Sequence, residues 1–170
     1  MTISQALLPE YDQEMANTRK ILELVPTGRF DYKPHPKSMS MAQLATHVAW
    51  FSSWAKETLS GDGLDIPADF KPPLAKSRAE LLAMFDESVG VARKKLESTS
   101  DEEWSKVWTL TFAGKKFIEM PRIDVMRRTV LNHMIHHRAQ LGVYLRLNEV
   151  AIPGMYGPSA DEPNMFRAEA

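Results

Sequence analysis

The sequence contains no cysteine among its 170 residues. That absence excludes disulfide bonds, thiolate nucleophiles and every metal site that needs cysteine ligands. Glycine-rich phosphate-binding loops and the Gly-x-Ser-x-Gly elbow of serine hydrolases are also missing. A metal ion bound by this chain would therefore be held by histidine, aspartate or glutamate side chains.

Long apolar runs and an excess of one charge are missing as well. No stretch approaches the ~18 apolar residues of a membrane span, and the N-terminus lacks the basic and apolar regions of a signal peptide. The 21 basic and 22 acidic residues are interspersed and give a net charge of -1, which leaves no basic stripe for nucleic acid. We therefore expect a cytoplasmic protein that binds neither membranes nor nucleic acid.

The length and the apolar share of 44% are typical of one packed domain, which we expect to span residues 1–170. Apolar residues recur at steps of three and four over four segments, the period of an amphipathic helix. These predicted helices lie at about residues 9–25, 40–60, 77–96 and 121–148. The pattern predicts an all-α four-helix bundle, with Pro9 and Pro121 in the first turns of the first and last helices.

Shorter sequence motifs predict where some helices begin and what lies between them. Ser40-x-x-Gln43 and Ser77-x-x-Glu80 have the form of capping boxes, and a similar box at Ser100 indicates a short helical turn. Two β-prone segments, 107–111 and 116–119, are joined through Ala113-Gly114. They indicate a small hairpin before the last helix.

Two histidines of the last predicted helix, His133 and His137, are four positions apart. This spacing puts their Cβ atoms about 5–6 Å apart on one helix face, so both imidazoles can reach one ion at ~2.0–2.1 Å. His47 stands beside Leu44 and Val48 on the buried stripe of the second helix. The three histidines can therefore form one metal site between two helices.

A less specific interpretation applies to each of these histidines. A single histidine on an apolar helix face is more often a core residue bonded to a neighbour. Three buried imidazoles without a ligand would need several partners, however, which favours the metal site. His136 is three positions from His133 and could replace His137, but it is rotated away from the buried stripe and we expect it to be exposed. We expect the same of His35, which lies between two prolines.

Three further residues are candidates for binding a cofactor beside the histidines. Gln140 shares the face of His137 and could orient a ligand or a bound water; alternatively, it is a partly buried polar residue satisfied by the backbone. Trp50 and Trp54 follow His47 by three and seven positions, so at least one should line the metal pocket. The alternative for both is that they only fill the core.

The segment from His133 to Leu141, followed by Tyr144-Leu145-Arg146 and by a tail motif from Tyr156 to Glu162, resembles the DinB/YfiT-like superfamily. The stretch from Lys33 to Ser40, which leads to His47, does so too. The resemblance covers nearly the whole chain. One departure is Ala139, where glycine is common, and it leaves the three histidines intact.

The resemblance implies an up-down-down-up bundle with a long crossover, often dimeric, that carries a divalent metal such as nickel or zinc. Its ligands match His47, His133 and His137. Some relatives transfer or isomerise small molecules through small thiols such as bacillithiol or mycothiol. A homodimer with a small-molecule substrate and a small-thiol cosubstrate is therefore expected.

Three protein ligands leave a position open on the metal, as in catalytic rather than structural sites. This favours a metal-dependent enzyme, a thiol-dependent transferase or isomerase. A metal-dependent hydrolase and a non-catalytic binding or stress-response protein are the alternatives, because no general base is apparent. No residue is assigned a catalytic role from the sequence.

Overall fold

The computed structural model of the protein describes residues 1–163 and shows a mostly helical chain. The helices, in chain order, are α1 (Ile3–Glu23), α2 (Met41–Phe51), α3 (Trp54–Thr58), α4 (Arg78–Ser98), α5 (Asp101–Ser105), α6 (Arg122–Asp124) and α7 (Asn132–Arg146). A π-helical segment, Val125–Leu131, joins α6 to α7. Within residues 1–163, no helix is both long and apolar enough to cross a membrane. The predicted domain span, 1–170, runs on into residues outside those described.

The four long helices, α1, α2, α4 and α7, form a bundle around one apolar core. Helix α1 packs against α4 and α7, and α2 packs against the same two helices. The first two helices therefore lie across the bundle from each other, and residues 24–40 connect them. Fully buried side chains from all four helices fill the space between, among them Leu22, Leu44, Phe85 and Leu141.

Helix capping explains where two of these helices begin. The Ser40 hydroxyl accepts a hydrogen bond from the Gln43 N–H and the Gln43 side chain accepts one from the Ser40 N–H, which confirms the predicted capping box of α2. The same reciprocal pair occurs between Thr2 and Gln5, so α1 begins at Ile3. The prediction that Pro9 lies in the first turn of α1 is therefore wrong, because Pro9 is inside the helix.

The all-α fold class also needs correction, since the chain contains a three-stranded sheet. Strand β1 (Gly63–Ile66) pairs in parallel with β2 (Val107–Phe112), and β2 pairs in antiparallel with β3 (Lys115–Pro121). The predicted hairpin is thus confirmed. Its turn residues Ala113 and Gly114 have φ values of 49° and 74°, as a two-residue turn between right-twisted strands requires. Trp108 and Leu110 point from β2 into the core.

The parallel pairing of β1 with β2 generates a stability prediction at Gly63. A Cβ atom at Gly63 would lie 2.5 Å from the carbonyl oxygen of Thr109, a backbone atom that the sheet holds in place. We expect Gly63→Ala to destabilise the protein by about 1–3 kcal/mol, the usual cost of overpacking. Urea denaturation measures this change.

Gly61→Ala is the matched control, because a Cβ at Gly61 has no neighbour within 4 Å. Its effect should stay within about 0.5 kcal/mol, as for most exposed positions. Equal effects of the two substitutions would contradict the close approach of β1 to β2.

Candidate metal centre

His47 on α2 and the pair His133 and His137 on α7 meet where these two helices pack together. One ring nitrogen from each lies within 4.8 Å of the other two. The Nε2 atoms of His47 and His133 are 2.8 Å apart, and the ring centroid of His137 is 4.6 and 4.5 Å from those of His47 and His133. All three side chains are partly buried. The structure thus brings together the three residues that the spacing singled out.

The π-helical segment before α7 determines how α7 is rotated. Val125–Leu131 is wound with wider turns than an α-helix, and its residues Val130 and Leu131 are buried. A π turn contains an additional residue, so it changes the angular position of every side chain that follows. His133 is the second residue of α7, and its direction towards α2 therefore depends on this segment. Sequence periodicity predicted one continuous helix here and carried no signal for the π turns.

Aromatic rings support His133 from behind. The Phe51 ring stacks on His133 with centroids 4.1 Å apart and planes 12° apart, and Trp54 stacks on the other face of Phe51 at 5.0 Å. Trp54 is buried and lies behind Phe51, away from the three histidines. The predicted helix 40–60 is interrupted at Ser52 and Ser53, so Trp54 begins a separate short helix, α3. Phe51 was not singled out as a site residue, although it is four positions after His47.

Gln140 fixes the orientation of His137. Its Oε1 accepts a hydrogen bond from His137 Nδ1 at 2.7 Å, although the Gln140 side chain itself is exposed. An imidazole that donates from Nδ1 keeps the lone pair of Nε2 for a ligand. The contact favours the orienting interpretation over the backbone-satisfied one. The other two histidines, His35 and His136, are exposed and lie outside the cluster.

Two cavities open beside the histidines, one on each side of Met39. The first, of about 320 Å³, is lined by His47, Trp50 and apolar residues from the connection after α3. The second, of about 420 Å³, is lined by His137 and Gln140 together with residues of the loop before α2. Of the two candidate tryptophans, Trp50 lines the cavity at His47. Binding of a cofactor by Trp50, Trp54 or Gln140 stays a prediction.

Burial keeps the three rings neutral at pH 7. It lowers the pKa of His47 and of His133 from 6.5 to about 4, and the proximity of His137 adds to both shifts. Burial also lowers the pKa of His137, against the hydrogen bond to Gln140, which acts in the opposite direction. Neutral imidazoles are the form that binds metal ions.

The donor set fits a divalent transition metal. Two ring nitrogens bound to one ion at ~2.0–2.1 Å would be about 2.9 Å apart at a right angle, as in octahedral geometry, and about 3.3 Å apart at the tetrahedral angle of zinc sites. The Nε2 atoms of His47 and His133 are 2.8 Å apart, which is also a hydrogen-bond distance, so this pair matches the right-angled arrangement more closely. Nitrogen donors of this kind suit zinc and nickel better than magnesium or calcium.

A buried ion pair lies directly beside the cluster and was missed by the sequence analysis. Arg138 and Glu14 are both buried, and their side chains meet at 2.6 Å. The Arg138 guanidinium also donates to the Thr18 hydroxyl, while the Tyr156 hydroxyl donates to the Glu14 carboxylate. These contacts join α7 to α1 and to the C-terminal segment. The only sequence signal was the place of Arg138 within the family-like motif.

Comparison with known proteins agrees with the fold and with the motif. The sequence profile of the DinB superfamily matches residues 10–141, a range that includes all three histidines. A DinB-like protein from Bacillus cereus ATCC 10987 superposes with a TM-score of 0.71 at 21% identity, over 91% of this chain and 98% of that chain. A DinB-like protein from Bacillus subtilis superposes with a TM-score of 0.66 at 18% identity, over 88% of this chain and 96% of that chain. No curated protein matches the chain. At these identities, the structural likeness shows the fold and no more.

The lowered pKa values generate a prediction about stability and pH. Between about pH 4 and 6.5 the unfolded chain binds more protons than the folded one, since His47 and His133 resist protonation in the fold. Acid in this window therefore favours the unfolded state. We expect the free energy of unfolding of the metal-free protein to fall as the pH is lowered from about 7 to about 5. Urea denaturation at several pH values measures this dependence.

The control is a double variant, His47→Gln with His133→Gln, in which neither position titrates. Its free energy of unfolding should depend less on pH over the same window. An unchanged pH dependence would show that these two rings are not held neutral by the fold.

Proposed function

The chain belongs to the DinB superfamily, and we propose that it is a divalent-metal-dependent enzyme that transfers or isomerises a small molecule with the help of a small thiol. The observation that carries the proposal is the convergence of three neutral ring nitrogens, with His47 lining one cavity and His137 lining another. A structural site would be closed on all sides, whereas this one is open to ligand-sized space. Nickel and zinc are the metals we propose.

The residues of the site have distinct tasks in this proposal. His47, His133 and His137 hold the ion, Gln140 orients His137, and Phe51 supports the ring of His133. When bound, a divalent transition metal supplies Lewis-acid chemistry and lowers the pKa of a thiol that reaches it. The histidines act as ligands and transfer no proton, because their lone pairs are engaged.

The lining of the two cavities favours a thiol over a protein nucleophile. It contains no carboxylate, and the chain has no cysteine. A hydrolase could use water activated by the metal itself, but besides that water the two linings offer no carboxylate as a general base. An external thiol brings its own nucleophile and requires only deprotonation. A non-catalytic metal-dependent binder, in stress response or elsewhere, is the second candidate, and the same lack of a general base favours it.

The family resemblance also supports a cytoplasmic homodimer arranged as an up-down-down-up bundle. We keep these as proposals, together with the single-domain span.

Metal content is the first test of the function. The purified protein should carry close to one transition-metal ion per chain or take one up from solution. Each single substitution of a ligand should lower metal affinity by more than about 100-fold: His47→Ala, His133→Ala and His137→Ala. The loss of a residue that only hydrogen-bonds to a ligand typically costs up to about 100-fold, and the loss of the ligand itself should cost more. Elemental analysis and competition with a chelator measure both quantities.

His35→Ala and His136→Ala are the controls and should leave metal affinity nearly unchanged. If His136→Ala abolished binding and His137→Ala did not, the assignment of ligands on α7 would be wrong. A parent protein that binds no zinc, nickel, cobalt or manganese would end the proposal of a metal-dependent function.

Thiol dependence is the second test. In the cobalt-substituted protein, a small thiol at millimolar concentration should change the visible absorption spectrum, because a thiolate enters the open coordination position. The methyl thioether of the same compound, which cannot ionise, should leave the spectrum unchanged. Identical spectra with and without thiol would favour the hydrolase or the binding protein over the transferase.

A further inference from the structure

The cavity at His47, here called the apolar cavity, has no charged residue in its lining. Trp50 and Met39 form part of its wall, and Pro72 and Leu74 come from the connection between β1 and α4. Phe70 stacks on Trp50 with centroids 5.8 Å apart, which holds the indole ring in place. A volume of about 320 Å³ is near the lower end for ligand pockets, so it suits a short alkyl chain or a single ring.

The cavity at His137, here called the basic cavity, differs in chemistry. Lys37 is the one residue in its lining with a permanent charge, and the lining also offers the polar groups of Ser38, Gln140 and Tyr144. Among residues 1–163, no carboxylate forms an ion pair with Lys37. Its ammonium group is therefore free to meet an anion.

The loop that carries Lys37 is held in place by backbone contacts. The Lys37 N–H donates to His35 Nδ1 at 3.2 Å, and the Tyr144 hydroxyl donates to the Met39 carbonyl oxygen at 3.2 Å. The second bond ties the loop to α7, the helix of His137. Lys37 thus keeps its place beside the basic cavity.

His47 lines the apolar cavity and His137 lines the basic cavity, with ring centroids 4.6 Å apart, whereas His133 lines neither. Met39 lines both cavities. We propose that the site binds an elongated amphipathic anion, with an apolar arm beside Trp50, an anionic group beside Lys37 and its central part at the histidines. This proposal rests on the proposed function and names the class of its substrate.

The burial of apolar surface and the charge of Lys37 predict how much each part of the ligand contributes to affinity. Burial of one methylene group raises affinity about fourfold, so affinity should increase with the length of the apolar arm until the apolar cavity is full. An ion pair with an exposed lysine is worth up to about fivefold in affinity. Lys37 would repel a cation in the same place, so an anionic and a cationic ligand should differ clearly in affinity.

Straight-chain alkylsulfonates are suitable probes, because a sulfonate is anionic yet a weak metal ligand. They are titrated by calorimetry against the zinc-loaded protein, beside alkyltrimethylammonium ions of the same chain lengths. We expect affinity to rise about fourfold per methylene over the first members of the series. The sulfonate should bind about fivefold more tightly than the ammonium ion of equal length.

Three variants connect the preference to the residues. Lys37→Met should reduce the preference for the anion to the part that the zinc ion supplies, and Lys37→Arg should keep it in full. Lys33→Met is the control, since Lys33 is exposed on the same loop and lines neither cavity. Trp50→Ala should weaken the dependence on chain length. Leu74→Ala, at a side chain that is 55% exposed, tests the same cavity with less risk to the fold.

Several results would overturn the inference: no binding by any sulfonate, equal binding of both charges, or an anion preference that Lys37→Met leaves unchanged. The test also separates the two proposals. Zinc content is measured on the same samples, and the metal-free His47→Ala variant should still prefer the sulfonate. If the preference for the sulfonate were absent while zinc binding stayed intact, only the proposed substrate class would be wrong. If the parent protein bound no metal, only the proposed function would be wrong.

Discussion

The buried ion pair between Arg138 and Glu14 ties α7 to α1, and α7 is the helix that carries His133, His137 and Gln140. Two charges in the interior are tolerated only when they pair closely and their remaining hydrogen bonds are satisfied. Here the carboxylate also accepts from the Tyr156 hydroxyl, and the guanidinium donates to Thr18 and to the Glu14 carbonyl. Removal of one partner from such a pair typically costs about 3–5 kcal/mol.

The same ion pair explains why the histidines face α2. Successive residues on an α-helix point in directions about 100° apart. With Arg138 directed at α1, its neighbour His137 is turned towards α2, and His133 lies one turn earlier on the same face as His137. Helix α7 therefore presents a charged anchor to one neighbouring helix and two metal-competent rings to another. The π-helical segment precedes α7 and therefore rotates the arginine and the two histidines together.

Burial disfavours protons on the histidine cluster and keeps its rings in the neutral form that a metal ion requires. A proton on one of these rings would place a charge beside two other rings in a partly dry environment, and the lowered pKa values of His47 and His133 express that cost. A metal ion also brings charge, but it forms bonds to three nitrogens at once and repays the desolvation. The cavities on either side add the space that a small molecule needs, one apolar and one beside a lysine.

Local spacing along the chain was sufficient to predict the features that depend on one helix or one turn. The four-residue step from His133 to His137, the capping box at Ser40 and the hairpin turn at Ala113-Gly114 are of this kind, because helix period and turn geometry fix them within a few residues. The box at Thr2 and Gln5 was equally readable from the sequence. Its omission caused the error at Pro9.

Only the tertiary structure decided the features that depend on residues far apart in the sequence. The end of α2 at Phe51, the strand β1, the partnership of Arg138 with Glu14 and the place of Lys37 are all of this kind. Each arises from packing between elements, where the burial of a ring or a charge outweighs the weak preference of a short segment. The sequence by itself therefore identified which histidines could bind a metal, and the fold decided what surrounds them.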